Sequence, residues 1–195
     1  MALALFGVLL AIRANLSDSH QQTLERLQTL QLAAETLDAR DSYTESHSQR
    51  VADLAARIGD ALALSGRELE QLRTAGALHD LGKIGIRDDV LNKAERLTDD
   101  EWELMKRHPS IGADMIAKHS ALAAVAPLVR GHHERWNGAG YPHGLRGEDI
   151  PLGARILAVA DSYDTIATAR IYRPSKMTPT EAIEDITERA GSWYD

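Results

Sequence analysis

His79 and Asp80 stand side by side at the end of an apolar stretch, Leu72-Arg73-Thr74-Ala75-Gly76-Ala77-Leu78, and five more side chains of metal-ligand type lie along the chain: His47, His108, His132, His133 and Asp161. Imidazoles and carboxylates without cysteine suit iron, manganese or zinc better than a thiolate-seeking ion. Seven such side chains are too many for one four-coordinate ion and about right for two, the signature of a hydrolytic dinuclear site. On a helix, His79 and Asp80 would project about 100° apart and could grip one ion, leaving the second Asp80 oxygen to bridge to another. His132-His133 is a second adjacent pair; two imidazoles in a core each need a partner, and a shared cation meets both needs. Asp161 closes the apolar run Leu157-Ala158-Val159-Ala160, where a buried carboxylate requires a cation or several donors. Taken singly, the doublet reads as a hydrogen-bonded pair at a helix end. His20, His119 and His143 are read as ordinary histidines, His143 being the nearest of them to a substrate-contact position.

Other residues point to a phosphorylated ligand. Lys83 follows the doublet by three residues; in isolation it is a solvated loop lysine, beside the doublet a phosphate binder. Arg170 and Arg173 share a face if helical and serve equally as a surface pair or a phosphate clamp. The net charge of -7 excludes a general DNA or RNA duplex binder. Residues 130–176 nevertheless carry seven basic against five acidic side chains, so a small phosphorylated substrate fits. The loop 137–147 needs the backbone freedom of Gly138, Gly140, Gly144 and Gly147. Its Tyr141-Pro142 tip offers a flat surface to a guanine or to a partner protein.

The elements that must hold these groups are helical. Apolar content is 44% and aromatics only 5% of 195 residues, a balance that favours helices over a sandwich or barrel. Capping boxes are legible at Ser65-Gly66-Arg67-Glu68 and Thr98-Asp99-Asp100-Glu101, the first opening a helix that runs to 80–82 and the second one that Pro109 interrupts just after His108. Residues 122–135 read as helical around Pro127. Pro151 leads into an apolar helix through Asp161 and Asp164, and Thr178-Pro179-Thr180-Glu181 opens a last one. No strand pattern or internal repeat emerges, so the architecture is all-α. Leu16, His20, Thr23, Leu27, Leu30, Ala34 and Leu37 follow a heptad seam, read either as a dimerising or signal-transmitting helix or as the first helix of the domain lying on its own core.

The division expected is an N-terminal helical or linker segment, 1–36, and one domain, 37–195. The apolar run 2–12 is shorter than the roughly 20 residues of a membrane span and has no basic flank of a signal peptide. It reads as the end of a truncated longer protein, and the abrupt C-terminus reads likewise. Absence of cysteine fits the cytoplasm, with a parent protein free to be membrane-attached through an upstream region.

The ordered set of motifs resembles the HD-GYP domain of the HD phosphohydrolase superfamily. The strings that carry the resemblance are Asp41-Ser42-Tyr43-Thr44 through His47-Ser48-Gln49-Arg50-Val51, His79-Asp80-Leu81-Gly82-Lys83-Ile84-Gly85, His108-Pro109, His132-His133-Glu134-Arg135-Trp136-Asn137-Gly138, Gly140-Tyr141-Pro142, and Asp161-Ser162-Tyr163-Asp164 with Arg170-Ile171-Tyr172-Arg173. The resemblance implies an HD-domain helical bundle holding two divalent ions, iron or alternatively manganese. His47, His79 and Asp161 would hold one, His108, His132 and His133 the other, with Asp80 bridging. It implies Asp80 and Lys83 as catalytic residues, and Lys83, Arg170, Arg173 and Tyr141 as substrate contacts. Tyr43 stands where three-metal members carry a glutamate, so a third ion is not expected. The activity implied is hydrolysis of cyclic di-GMP to linear pGpG, with some members continuing to GMP. Hydrolysis of another nucleotide, such as cyclic GMP-AMP or a nucleoside triphosphate, and a non-catalytic binding module are the competing readings. A diguanylate cyclase contact through the Gly-Tyr-Pro loop and a homodimer through the N-terminal helix are the partners implied.

Overall fold

A computed structural model describes residues 46–168 and 177–195, together with positions 21, 25, 28–30, 32–34 and 36, which are helical. From residue 46 onward the described chain forms α1 (His47–Ala61), α2 (Gly66–Leu78), α3 (Asp88–Leu91), α4 (Asp99–Met105), α5 (His108–Ala117), α6 (Ala126–Gly131), α7 (Leu152–Ala167) and α8 (Pro179–Glu188), with 3-10 turns at Leu81–Gly85, Ser120–Leu122 and Gly147–Asp149. Strand-like pairing among the described residues is limited to one bridge between Ala190 and Tyr194. The all-α expectation holds.

Small residues set the packing. In α1, Val51, Ala52, Ala55, Ala56 and Gly59 form one buried stripe, the spacing of a core-facing helix, and it lies along α2 and α7. Leu72, Leu78, Leu81, Ile116, Val129 and Leu157 fill the space between these helices and α5 and α6, each burying apolar surface worth about 1.5–3 kcal/mol. Leu30, Ala33 and Ala34 join the same core, so that part of the heptad seam lies on its own domain. Leu16, His20, Thr23, Leu27 and Leu37 lie outside the described residues.

Proline marks helix starts more sharply than expected. The helix opened by Thr98 ends at Met105, and His108 is the first residue of the next one, with Pro109 in its first turn. Pro127 likewise sits in the first turn of α6, which splits the helix expected over 122–135. A first turn has no use for the missing proline N–H, whereas a helix interior would lose a hydrogen bond and gain a clash.

The turn Leu81–Gly85 lies directly on the start of α5. A Cβ on Gly82 would fall 1.9 Å from the His108 carbonyl oxygen and 2.5 Å from the Gly112 nitrogen, so only glycine permits this approach. It is what brings the His79-Asp80 doublet beside His108. No helix among the described residues is long and apolar enough to cross a membrane.

Candidate metal centre

Each expected ligand that the structure describes arrives from a helix terminus or an inward face. His47 opens α1, His79 caps α2 with Asp80 next, His108 opens α5, His132 and His133 follow α6, and Asp161 faces inward from α7. All seven converge. His108, His132 and His133 each offer a donor atom within 4.8 Å of the others, and so do His47, His79 and Asp80. The Asp161 Oδ1 lies 3.3 Å from His47 Nε2 and 3.9 Å from His79 Nε2.

The ring nitrogens are sorted by the backbone. His79 Nδ1 donates to the Gly76 carbonyl at 2.8 Å, His108 Nδ1 to that of Met105 at 2.8 Å, and His132 Nδ1 to that of Val129 at 2.6 Å. A carbonyl can only accept, so each Nδ1 carries the hydrogen and, in the neutral ring, Nε2 keeps its lone pair. The same helix geometry, three residues back, does this three times over. His47 Nδ1 is held instead by Asp164 Oδ2 at 2.7 Å. The Nε2 atoms of His108 and His132 then face each other at 3.4 Å, and the buried Nε2 of His79 has no hydrogen-bond partner. Two lone pairs in that position repel unless a cation lies between them. A second ring nitrogen tied to a carbonyl or carboxylate is also how ligating histidines are usually oriented. The donor set therefore fits divalent ions, and its two clusters are compatible with a dinuclear site.

Asp80 faces both clusters. Its Oδ2 is 3.3 Å from His79 Nε2 and its Oδ1 3.3 Å from His108 Nε2. Lys83, itself buried, places Nζ 2.8 Å from Oδ2. Burial would raise the Asp80 carboxyl, but the cationic Lys83 and the neighbouring His79 and His108 hold it well below the usual carboxylate range. Asp161 is lowered against the same burial cost by His47 and His79.

The histidines divide. Burial pushes His108 down to about 3 and His133 down to about 4, and depresses His132 as well, with like-charged neighbours adding to it. These three rings are neutral at pH 7. Burial opposes protonation of His47 too, but Asp161 and Asp164 overcome it and raise that ring to about 9. His79 is also raised, burial being outweighed by Asp80 and Asp161.

A cavity of about 240 Å³ opens over the cluster, with His132, His133, Asp161, Tyr141 and Trp102 in its wall. Tyr141 lies 4.8 Å from His133, ring centroid to centroid, and 6.0 Å from Trp102. The loop that carries Tyr141 is anchored by Glu134, whose buried carboxylate accepts from the His143 and Leu145 N–H groups at 2.7 and 3.0 Å. Gly140 lies so close that a Cβ would sit 2.3 Å from the Arg135 nitrogen. The C-terminal residues close the loop from outside: the Trp136 and Asn137 N–H groups donate to the Trp193 and Ser192 carbonyls at 3.1 and 2.9 Å.

Arg170, Arg173 and Tyr43 lie outside the described residues. Sequence reading missed Asp164, which Arg50 also holds at 2.6 Å, as well as Glu134 and Trp102. Asp164 lies one turn after Asp161 on an apolar helix, a signal that two carboxylates share an inward face. Glu134 had the weaker signal of following the His132-His133 pair.

A family model described as an HD domain matches residues 30–195. The chain belongs to the HD domain family. Within it, the chain is 38% identical over its whole length to half of the cyclic di-GMP phosphodiesterase response regulator RpfG of Xanthomonas campestris. It is 39% identical, over 80% of its length and 42% of the relative, to a cyclic di-GMP phosphodiesterase of Thermotoga maritima. The chain thus spans half or less of these relatives. The crystal structure of a cyclic GMP-AMP specific phosphodiesterase of Vibrio cholerae superposes with a TM-score of 0.64 at 26% identity, over 85% of this chain and 45% of that one. In this HD domain Tyr141 of the Gly140-Tyr141-Pro142 loop lines the same cavity as His132, His133 and Asp161, and His79 of the doublet lies behind them, 5.2 Å from the His132 ring.

Proposed function

We propose that this chain is the catalytic domain of a metal-dependent phosphodiesterase that hydrolyses cyclic di-GMP to linear pGpG, with GMP as a further product. The observation that carries the reading is the convergence of Nε2 atoms from His79, His108 and His132, their Nδ1 atoms already spent on carbonyls, around a carboxylate with one oxygen toward each cluster. His47, His79 and Asp161 would hold one ion, His108, His132 and His133 the other, and Asp80 both; the HD-GYP resemblance makes iron the first choice and manganese the second, and both suit this cysteine-free set. When bound, two such ions supply Lewis-acid stabilisation of the phosphate and lower the pKa of a water for attack on phosphorus.

The chain's own residues do the rest. Asp80 fixes the separation of the two clusters, and Lys83 contributes a buried cation beside it to offset charge developing on the phosphate. Tyr141, its ring tilted 34° against His133, orients the sugar and base next to the scissile bond. Arg170 and Arg173 act on the substrate's second phosphate. The same loop that presents Tyr141 is the face on which a diguanylate cyclase would dock, and the heptad positions ahead of Leu27 are where a second copy would pair. A cytoplasmic setting supplies the substrate. Cyclic GMP-AMP is the second substrate to consider, since the solved Vibrio cholerae structure that this fold matches is named for it.

The test is anaerobic purification, metal quantification and assay of cyclic di-GMP on one sample. About two iron or manganese ions per chain, as a dinuclear site requires, with pGpG appearing, supports the reading. Full metal without turnover of either cyclic dinucleotide rules it out. Asp80→Asn should abolish turnover, and retention of activity with both ions bound would remove Asp80 from its bridging role.

A further inference from the structure

Trp102 is a large ring left 44% exposed on a helix built to hold it still. The α4 N-terminus is locked by a capping box, Thr98 Oγ1 accepting from the Glu101 N–H and Glu101 Oε2 from the Thr98 N–H. Lys93 Nζ reaches both oxygens of the same Glu101 at 2.8 and 2.6 Å. At its other end, the α4 residue Met105 supplies the carbonyl that orients His108. The helix that displays Trp102 is therefore tied directly to the metal cluster.

Trp102 lines two hollows. One is the cavity over the histidines; the other, about 290 Å³, is walled by Trp102 with Arg96, Leu97 and Asp99. From the cluster outward the rings run His133, Tyr141, Trp102, with centroid steps of 4.8 and 6.0 Å. A nucleotide whose phosphate lies at the ions carries its base outward along such a path. An exposed indole at its end suits stacking by any base. The hollow beyond adds an edge reader. Guanine presents adjacent N1–H and N2 amino donors, which a carboxylate accepts together, and O6 and N7 acceptors, which a guanidinium fits. Adenine lacks the adjacent donor pair.

We propose that Trp102 is a nucleobase platform and that Arg96 and Asp99 read a guanine laid against it. This rests on the phosphodiesterase reading above. The test compares metal-loaded wild type with Trp102→Phe, Trp102→Leu and Asp99→Asn on cyclic di-GMP and cyclic di-AMP, after metal content and helicity are matched. Trp102→Leu should raise KM for cyclic di-GMP roughly ten-fold or more with kcat retained, while Trp102→Phe recovers most of the loss. Asp99→Asn should narrow the preference for cyclic di-GMP over cyclic di-AMP in kcat/KM. Equal behaviour of the Leu and Phe variants, or a fall in kcat at constant KM, would show that position 102 only fills space and overturns the platform. An unchanged guanine preference in Asp99→Asn, which is conservative enough to fold if Trp102→Leu is not, overturns the guanine reader. Metal-loaded wild type with no turnover of cyclic di-GMP, cyclic di-AMP or cyclic GMP-AMP overturns the phosphodiesterase reading and this inference with it.

Discussion

At the scale of single residues, the arrangement depends as much on what holds the ligands as on the ligands. Asp164 accepts from His47 Nδ1 at 2.7 Å and is itself gripped by Arg50 at 2.6 and 2.8 Å. Burial alone would raise this carboxyl, yet His47 and Arg50 keep it low and ionised. Replacing Asp164 by Asn leaves a group of the same shape that no longer fixes the His47 tautomer by charge. The expected result is a roughly 10–100-fold loss of affinity for one ion, read by equilibrium dialysis against buffered metal and elemental analysis. An affinity equal to wild type for both ions would show that Asp164 is only part of the packing. The three backbone-held histidines have no such vulnerable partner, because a helix carbonyl cannot be mutated away.

At the scale of elements, close contacts and caps carry the predictions. Gly82→Ala puts a methyl carbon into the space of the His108 carbonyl oxygen. The turn or α5 must then move, at a cost of about 2 kcal/mol or more, which for a chain of this size lowers Tm by roughly 4–8 °C. Because the displaced atoms belong to His108, metal retention should fall with Tm; calorimetry and metal analysis on one sample check both. The caps respond to pH. Glu68 is lowered from its ordinary 4.5 by its hydrogen bonds to the Ser65 side chain and backbone, and Glu181 by those to Thr178. A carboxyl whose folded pKa is depressed stabilises above its unfolded value, and that contribution is lost as pH falls through the folded pKa. Glu68→Gln should therefore lower Tm at pH 7, and the difference from wild type should shrink toward zero at acid pH below 4.5; a difference independent of pH would mean that the charge contributes nothing. Ser65→Ala, which removes the cap itself, should cost about 1 kcal/mol at pH 7 and less at acid pH, because the Ser65 hydroxyl also donates to the Glu68 carboxylate.

At the scale of the whole molecule, the ions and the bundle should stabilise each other. The proposed ligands come from α1, α5 and α7 and from the ends of α2 and α6, so unfolding any of these helices would disperse the site. Metal held at a hundred times its Kd would add about 2.7 kcal/mol to stability. Chelation should therefore lower Tm reversibly, with re-addition restoring it, and a Tm indifferent to chelator would argue against a buried dinuclear centre. Much of this was legible in the chain alone. Residue type and spacing marked His79-Asp80, His132-His133 and Asp161, the capping boxes opened their helices where Ser65, Thr98 and Thr178 stand, and the absence of cysteine narrowed the metal, because these depend on local chemistry and helix period. Tertiary structure decided what depends on neighbours distant in sequence. It paired Asp164 with His47 across 117 positions, pressed Gly82 onto α5, buried Glu134 beneath the loop it anchors, and made prolines 109 and 127 the beginnings of helices. It also set Trp102 beside Tyr141, 39 residues away, a contact that no periodicity encodes because the packing of α4 against the loop creates it.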